Sequence, residues 1–334
     1  MNFGFQWHLT DLCNMRCAHC YQDNFTAASG LSKENIYEIA DRIFNGLGDS
    51  LVSVNLTGGE PFFVPYIFDL ISHLHQFGNL EEINIITNGT VVNDEIAGRI
   101  ASFTKIGVIK ISLESGDEIV NDRIRGKGNF RKVSAGIEKF LTLSRKPVVL
   151  MMTLAKFNLD SIENMVGFAR STGVSGVIFE RFVPLGSGRA ITGEMLDGKG
   201  WRRAVESIIE VSGLDVEFAE MLPYRAFWMW TDGRKENVLD GAFCNLGETS
   251  MAVMPDGAVF PCRRLPVNLG NVLKEPFSGI IEKLKRYDVR TIKKKITGGR
   301  CSRCEFEDCA GCRAVAYALT GDLFAEDPQC DIPA

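Results

Sequence analysis

Three cysteines fall within eight residues of one another in Asp11-Leu-Cys13-Asn-Met-Arg-Cys17-Ala-His19-Cys20-Tyr21. Thiolates at this spacing are soft ligands, and three of them can hold three irons of a cubane cluster, leaving the fourth iron open to an outside ligand. The alternative is a zinc site, which normally takes four protein ligands and would recruit His19 as the fourth. The CxxxCxxC spacing directly after a strand is far more specific than a lone CxxC and favours the cluster.

A second group of cysteines closes the chain. Cys244 is followed by twelve residues, Gly257, four residues and Cys262, then by Cys301-Ser-Arg-Cys304, Cys309-Ala-Gly-Cys312 and Cys330. The Asp256-Gly257 step is a hairpin signal that would bring Cys244 and Cys262 together. Seven cysteines are one short of two sets of four, and a zinc ribbon remains the alternative for the two CxxC pairs. Ten cysteines in a reducing compartment are seldom disulfides, so the count reads as metal ligation.

These loops need elements to carry them. Short β-branched runs at residues 5–9, 52–56, 83–87, 108–113, 148–153 and 177–182 predict six strands. Between them lie helical patterns: Ile36, Ile39, Ala40, Ile43 and Phe44 behind the cap Ser32, then Ile67, Leu70, Ile71 and Leu74 behind Pro65, and others from Asn93, Asn129 and Asp160. Strict βα alternation implies a parallel sheet with right-handed crossovers, doubly wound or curved into a partial barrel, with ligands beyond the C-terminal strand ends. After about residue 190 the alternation stops. A helix over roughly 200–211 leads to the aromatic run Tyr224-Arg-Ala-Phe-Trp-Met-Trp230, read as core at a domain junction, with a substrate-cleft lining as the minority reading. The domain plan is 1–195, a bridging region 196–240, and a cysteine-rich domain 241–334.

At 334 residues the chain can bury a full core, and a net charge of −5 disfavours nucleic acid as a partner. The N-terminus has no secretory signal pattern and no stretch reaches the length of a membrane span, so a cytoplasmic enzyme without a membrane partner is expected. Lys293-Lys-Lys295 reads as a solvated helix face, and His8, His73 and His75 as structural.

With the elements in place, the Cys13, Cys17, Cys20 loop resembles the radical SAM superfamily, and the resemblance continues at each strand end. The fold it implies is a partial (β/α)6 barrel with a small cysteine-rich C-terminal domain. Cys13, Cys17 and Cys20 would then be catalytic, holding a [4Fe-4S] cluster whose open iron takes the amino and carboxylate groups of S-adenosyl-L-methionine (SAM). Gly58-Gly59-Glu60-Pro61 looks like the segment that receives the methionine ammonium, with Glu60 as its negative partner. Thr87-Asn88 is similar to a ribose-contacting segment, and Ser112 and Glu114 to positions that meet the carboxylate or ribose. Arg125 is an anchor, and His19 and Tyr21 stand where a ring packs near adenine.

The region from Cys244 to Cys330 resembles the SPASM extension, with two auxiliary iron-sulfur clusters. By that resemblance Cys244, Cys262 and Cys312 hold one, and Cys301, Cys304, Cys309 and Cys330 the other. The implied reaction is hydrogen abstraction from a peptide or protein by a 5′-deoxyadenosyl radical, as in thioether or carbon crosslinking of a ribosomally made peptide. The alternatives are a tetrapyrrole or other small-molecule oxidoreductase, a sulfatase-maturase-like enzyme and, remotely, a zinc-stabilised interaction protein. Sulfatase maturases place an acidic base directly after the cysteine corresponding to Cys262, where this chain has Arg263-Arg264, a pair that cannot take a proton but could anchor an acidic substrate segment or sit at a solvated hairpin end. An electron donor of flavodoxin or ferredoxin type is implied. The first strand starts almost at Met1, so leader recognition is expected to fall to a separate peptide-recognition protein or to another surface.

Overall fold

The computed structural model describes residues 2–26, 30–233 and 238–332. Six parallel strands form its centre: β1 (Asn2–His8), β2 (Leu51–Thr57), β3 (Leu80–Thr87), β4 (Ile106–Ser112), β5 (Val148–Leu154) and β6 (Gly176–Arg181). They lie in sequence order and each pairs in parallel with the next. The helices between them are α1 (Lys33–Gly46), α2 (Ile67–Leu74), α3 (Asp94–Ala101), α4 (Glu118–Arg125), α5 (Asn129–Lys139) and α6 (Ile162–Thr172), with α7 (Gly198–Ser212) following β6.

Local chemistry sets these boundaries. Ser32 and Asn93 accept from the backbone N–H three residues on and so cap α1 and α3. Ile36, Ile39, Ala40, Ile43 and Phe44 line one face of α1 and are fully buried, the larger ones contributing about 1.5–3 kcal/mol each. In the strands the alternation divides two environments. Phe3, Phe5 and Trp7 of β1, Val52, Val54 and Leu56 of β2, and Ile109 and Ile111 of β4 pack outward against the helices in the main core. Their alternate neighbours face the inside of the curved sheet.

The sheet does not stop at six strands. β7 (Ala226–Trp230) and β8 (Leu239–Ala242) add antiparallel beyond β6, while β9 (Ser250–Val253) pairs in parallel with the other edge strand, β1. β10 (Ala258–Phe260) and β11 (Gly270–Asn271) complete eleven strands among the described residues. The cysteine-rich segment therefore returns to the first strand and joins the same sheet. The expected hairpin forms between β9 and β10, with Gly257 in the left-handed region at φ 84°. The aromatic run is a strand rather than plain core: Phe227 and Met229 are fully buried outward, and Trp228 and Trp230 stack on the opposite face at 4.6 Å.

A cysteine-lined cavity at the strand ends

The loop after β1 is held from below by the turn after β2. The N–H of Gly59 donates to the Thr10 carbonyl at 2.7 Å and that of Glu60 to the Leu12 carbonyl at 2.9 Å. A Cβ on Gly58 would overlap Thr10 O, and one on Gly59 would overlap Leu12 O, so the two glycines let the cysteine loop lie directly on this turn. Above it opens a cavity of about 130 Å³. Cys13, Cys17 and Cys20 line it together with Gly58, Gly59, Thr87, Asn88, Ser112, Arg125, His19 and Tyr21.

Two predicted residues are placed elsewhere. Glu60 is fully buried and off the cavity lining: its carboxylate accepts from Thr87 Oγ1 at 2.8 Å, the Asn88 N–H at 2.9 Å and the Phe62 N–H at 3.2 Å. Burial outweighs these bonds and raises its carboxyl to about 7. Glu60 thus ties the β2 turn to the β3 turn from behind.

Glu114 is also fully buried behind the lining. It accepts from Arg125 Nη2 at 2.5 Å and Nε at 3.1 Å, from the Thr153 N–H at 2.8 Å, and pairs with His19 Nε2 at 3.2 Å. Burial alone would raise it, but His19 and Arg125 prevail and hold it near 2. Glu114 therefore fixes two side chains that do face the cavity.

Burial raises all three thiols, and donors point at their sulfurs. The Met15 N–H lies 3.4 Å and Asn88 Nδ2 3.8 Å from Cys13 Sγ, and Arg125 Nη1 lies 3.8 Å from Cys17 Sγ. Donors and a guanidinium aimed at sulfur suit thiolates in an iron-sulfur cluster. Among the described residues, no three His, Cys, Asp or Glu side chains converge on a point suited to one metal ion.

The C-terminal cysteines form two groups. Cys301, Cys304, Cys309 and Cys330 line one small cavity with Arg225 and Asp327. Cys244, Cys262 and Cys312 are half-buried and pack on a single apolar cluster that includes Leu246, Leu265 and Val289. Here too donors reach sulfur: Arg225 Nη2 is 2.6 Å and the Gly311 N–H 3.5 Å from Cys309, and the Asp327 N–H is 3.4 Å from Cys301. Buried Asp327 accepts from Arg181 Nη1 at 2.9 Å and the Cys312 N–H at 2.7 Å. The lysine run is less solvated than expected, since Lys293 donates to the Cys301 carbonyl at 2.5 Å.

Sequence reasoning missed part of the cavity. Glu180 and Arg181 at the end of β6, and Thr153 on β5, line it. Arg263 and Arg264 are not a solvated hairpin end: Arg263 is 8% exposed and pairs with Glu180 at 2.5 Å, with Arg264 at 3.4 Å from the same carboxylate. His8 is buried with its Nδ1 3.5 Å from the Tyr21 hydroxyl, and burial followed by Arg263 lowers it to about 3. A charged residue closing a β-strand is the one signal that could have flagged Glu180.

Residues 7–169 match the model of the Radical SAM superfamily, and residues 244–312 that of SPASM, an iron-sulfur cluster-binding domain. The chain is 27% identical to an AdoMet-dependent heme synthase of Methanosarcina barkeri, covering 97% of this chain and 95% of that protein. It is 26% identical to the antilisterial bacteriocin subtilosin biosynthesis protein AlbA of Bacillus subtilis, over 92% of this chain and 66% of that one. Identity to the mycofactocin maturase MftC of Mycobacterium ulcerans is 24%, over 97% and 86%. In fold it is similar to anSMEcpe solved with AdoMet and the Cp18Cys peptide, with a TM-score of 0.74 at 16% identity over 99% and 94% of the two chains. Streptococcus suis SuiB bound to its precursor peptide SuiA gives 0.69 at 15% identity, over 99% and 76%.

Proposed function

We propose, for a chain that belongs to the radical SAM superfamily and carries a SPASM domain, that it abstracts a hydrogen atom from a peptide substrate inside the curved sheet and so modifies that peptide. The radical SAM domain binds SAM and a [4Fe-4S] cluster, and the SPASM domain binds auxiliary iron-sulfur clusters. When bound, the first cluster supplies the electron that cleaves SAM to a 5′-deoxyadenosyl radical.

The chain's own residues bind, orient and shield. Cys13, Cys17 and Cys20 would hold the cluster, and the Asn88 amide and Arg125 guanidinium donate toward the Cys13 and Cys17 sulfurs. Ser112, Thr87, His19 and the Gly58-Gly59 edge meet SAM, while Glu60 and Glu114 keep these contacts in place from behind. The apolar inner wall of Ile86, Val149, Met151 and Ile178 excludes water from the reacting carbon. Cys244, Cys262 and Cys312 hold one auxiliary cluster, and Cys301, Cys304, Cys309 and Cys330 the other. Among the described residues no helix is long and apolar enough to cross a membrane; we place the enzyme in the cytoplasm, reduced by a flavodoxin or ferredoxin and served by a separate peptide-recognition protein.

The observation that carries this reading is the joining of the three-cysteine loop, the strand-end polar groups and the Arg263-Arg264 pair that follows Cys262 around one cavity, in a chain whose likeness to AlbA and MftC spans 92% and 97% of its own length. A second reading, oxidation of a tetrapyrrole side chain, is favoured by the heme synthase, which this chain spans almost end to end. The test uses anaerobically reconstituted protein with SAM, reductant and either a short peptide encoded beside the gene or an iron porphyrin. A mass change in the peptide with matching 5′-deoxyadenosine supports the first reading, and a changed porphyrin the second. No SAM cleavage with either would overturn both.

A further inference from the structure

The inner face of the curved sheet continues below the cavity, and a lysine stands on it. Lys110 is central in β4, two residues before Ser112, with register partners Ile86 on β3 and Val149 on β5. A lysine in this position is costly to desolvate and needs a partner. Its ammonium donates to Asn55 Oδ1 at 2.8 Å and lies 5.4 Å from the Trp228 ring centroid. Among the described residues no carboxylate lies within ion-pair distance of it.

The surroundings are two-sided. One wall is apolar, with Met151 and Ile178 packed against Trp228. The other is polar and incompletely paired: Gln6 Oε1 and His8 Nε2, like Trp228 Nε1 on the apolar wall, are buried with no hydrogen-bond partner among the described residues. Buried polar groups in folded proteins are nearly always paired, so such a set marks a place where something polar binds. Charge narrows the choice. Arg263, Arg264 and Lys110 face this space with Glu180 between them, and Glu180 is taken by the two arginines. Glu82, the other carboxylate on this side, accepts from Asn84 at 2.8 Å. Burial lowers Lys110 to about 8, with Glu180 and Glu82 acting the other way, which leaves it cationic at neutral pH.

We propose that Lys110 is a substrate anchor: the substrate carries a carboxylate that seats on the Lys110 ammonium, with its adjoining apolar part against Trp228. The proposal rests on the reading of the lumen as the place where the hydrogen is abstracted, and it narrows that substrate to a carboxylate-bearing one. The carboxylate has two sources of the same chemistry, a peptide's terminus or acidic side chain and the propionate of a tetrapyrrole.

The test compares charged and neutral probes of one shape on the reconstituted holoprotein. 3-Phenylpropionate offers a carboxylate to Lys110 and a ring to Trp228, and 3-phenylpropionamide offers the ring alone. The wild type should bind the acid at least about tenfold more tightly than the amide, as expected for one charge-assisted contact. Lys110→Met should erase that preference, and Lys110→Arg should keep most of it. Melting temperature and iron content show whether each variant has folded. Equal binding of acid and amide by the wild type, which needs no variant, would overturn the proposal, as would an unchanged preference in a folded Lys110→Met. A peptide with a free or amidated C-terminus, and coproporphyrin as free acid or methyl ester, then identify the source by which pair shows the same loss. SAM cleavage to 5′-deoxyadenosine, measured separately, reports on the radical reading, so either can fail alone.

Discussion

Both cysteine regions are organised around a buried carboxylate, but they are assembled differently. Near the N-terminus three thiols come from one eight-residue loop, and Glu114 steadies it by holding His19 and Arg125. In the C-terminal region seven thiols come from residues 244 to 330, and Asp327 accepts from the Cys312 N–H, donates its own N–H to Cys301 Sγ and pairs with Arg181 of the barrel. Loop sequence makes the first site, with the hub refining it. Tertiary packing makes the second, with the hub joining it to the sheet. The difference predicts that damage at one hub stays local to its own cysteines.

The largest expected effect is that of Glu114→Ala. It strands the Arg125 guanidinium, which is 8% exposed, without a counter-charge, and breaking a buried pair in this way costs about 3–5 kcal/mol. Urea unfolding should show that loss, with iron missing from the Cys13, Cys17, Cys20 site. Iron lost equally from all sites would break the comparison. Asp327→Asn should be milder, about 1.5–3 kcal/mol, because the amide keeps the shape and some of the hydrogen bonds while losing the charge facing Arg181. Here iron should fall at the auxiliary sites and SAM binding should persist; abolished SAM binding would mean that the two regions are one unit. The smallest effect serves as control. Ser32→Ala removes the cap of α1 far from both hubs and should cost about 1 kcal/mol with iron content unchanged. Loss of iron in this variant would show that any destabilisation empties the sites.

The barrel was legible because its signals are local. Alternating β-branched runs, Ser32 and Asn93 at helix starts, and CxxxCxxC after β1 each fix their element within a few residues. The edge additions were not. In β7 Phe227 and Met229 face the core while Trp228 and Trp230 face the lumen, so both faces are apolar and the run reads as undivided core. Glu60 and Glu114 were found as residues of the site, yet only the fold shows that they stand behind its lining, because side-chain direction at a strand end depends on the neighbouring turns. The pairing of Glu180 with Arg263 spans 83 residues and has no local trace. Lys110 looks in sequence like a charge interrupting a strand, and its place in the lumen appears only once the sheet has curved.

The central claim is that Cys13, Cys17 and Cys20 hold the cluster that cleaves SAM while the other cysteines hold separate ones. Replacing those three together by Ala tests it most directly. Anaerobically reconstituted wild type should carry about twelve irons, four for each cluster, and the triple variant about eight. The variant should form no 5′-deoxyadenosine from SAM while its remaining clusters keep their spectra. Undiminished SAM cleavage in that variant would contradict the account.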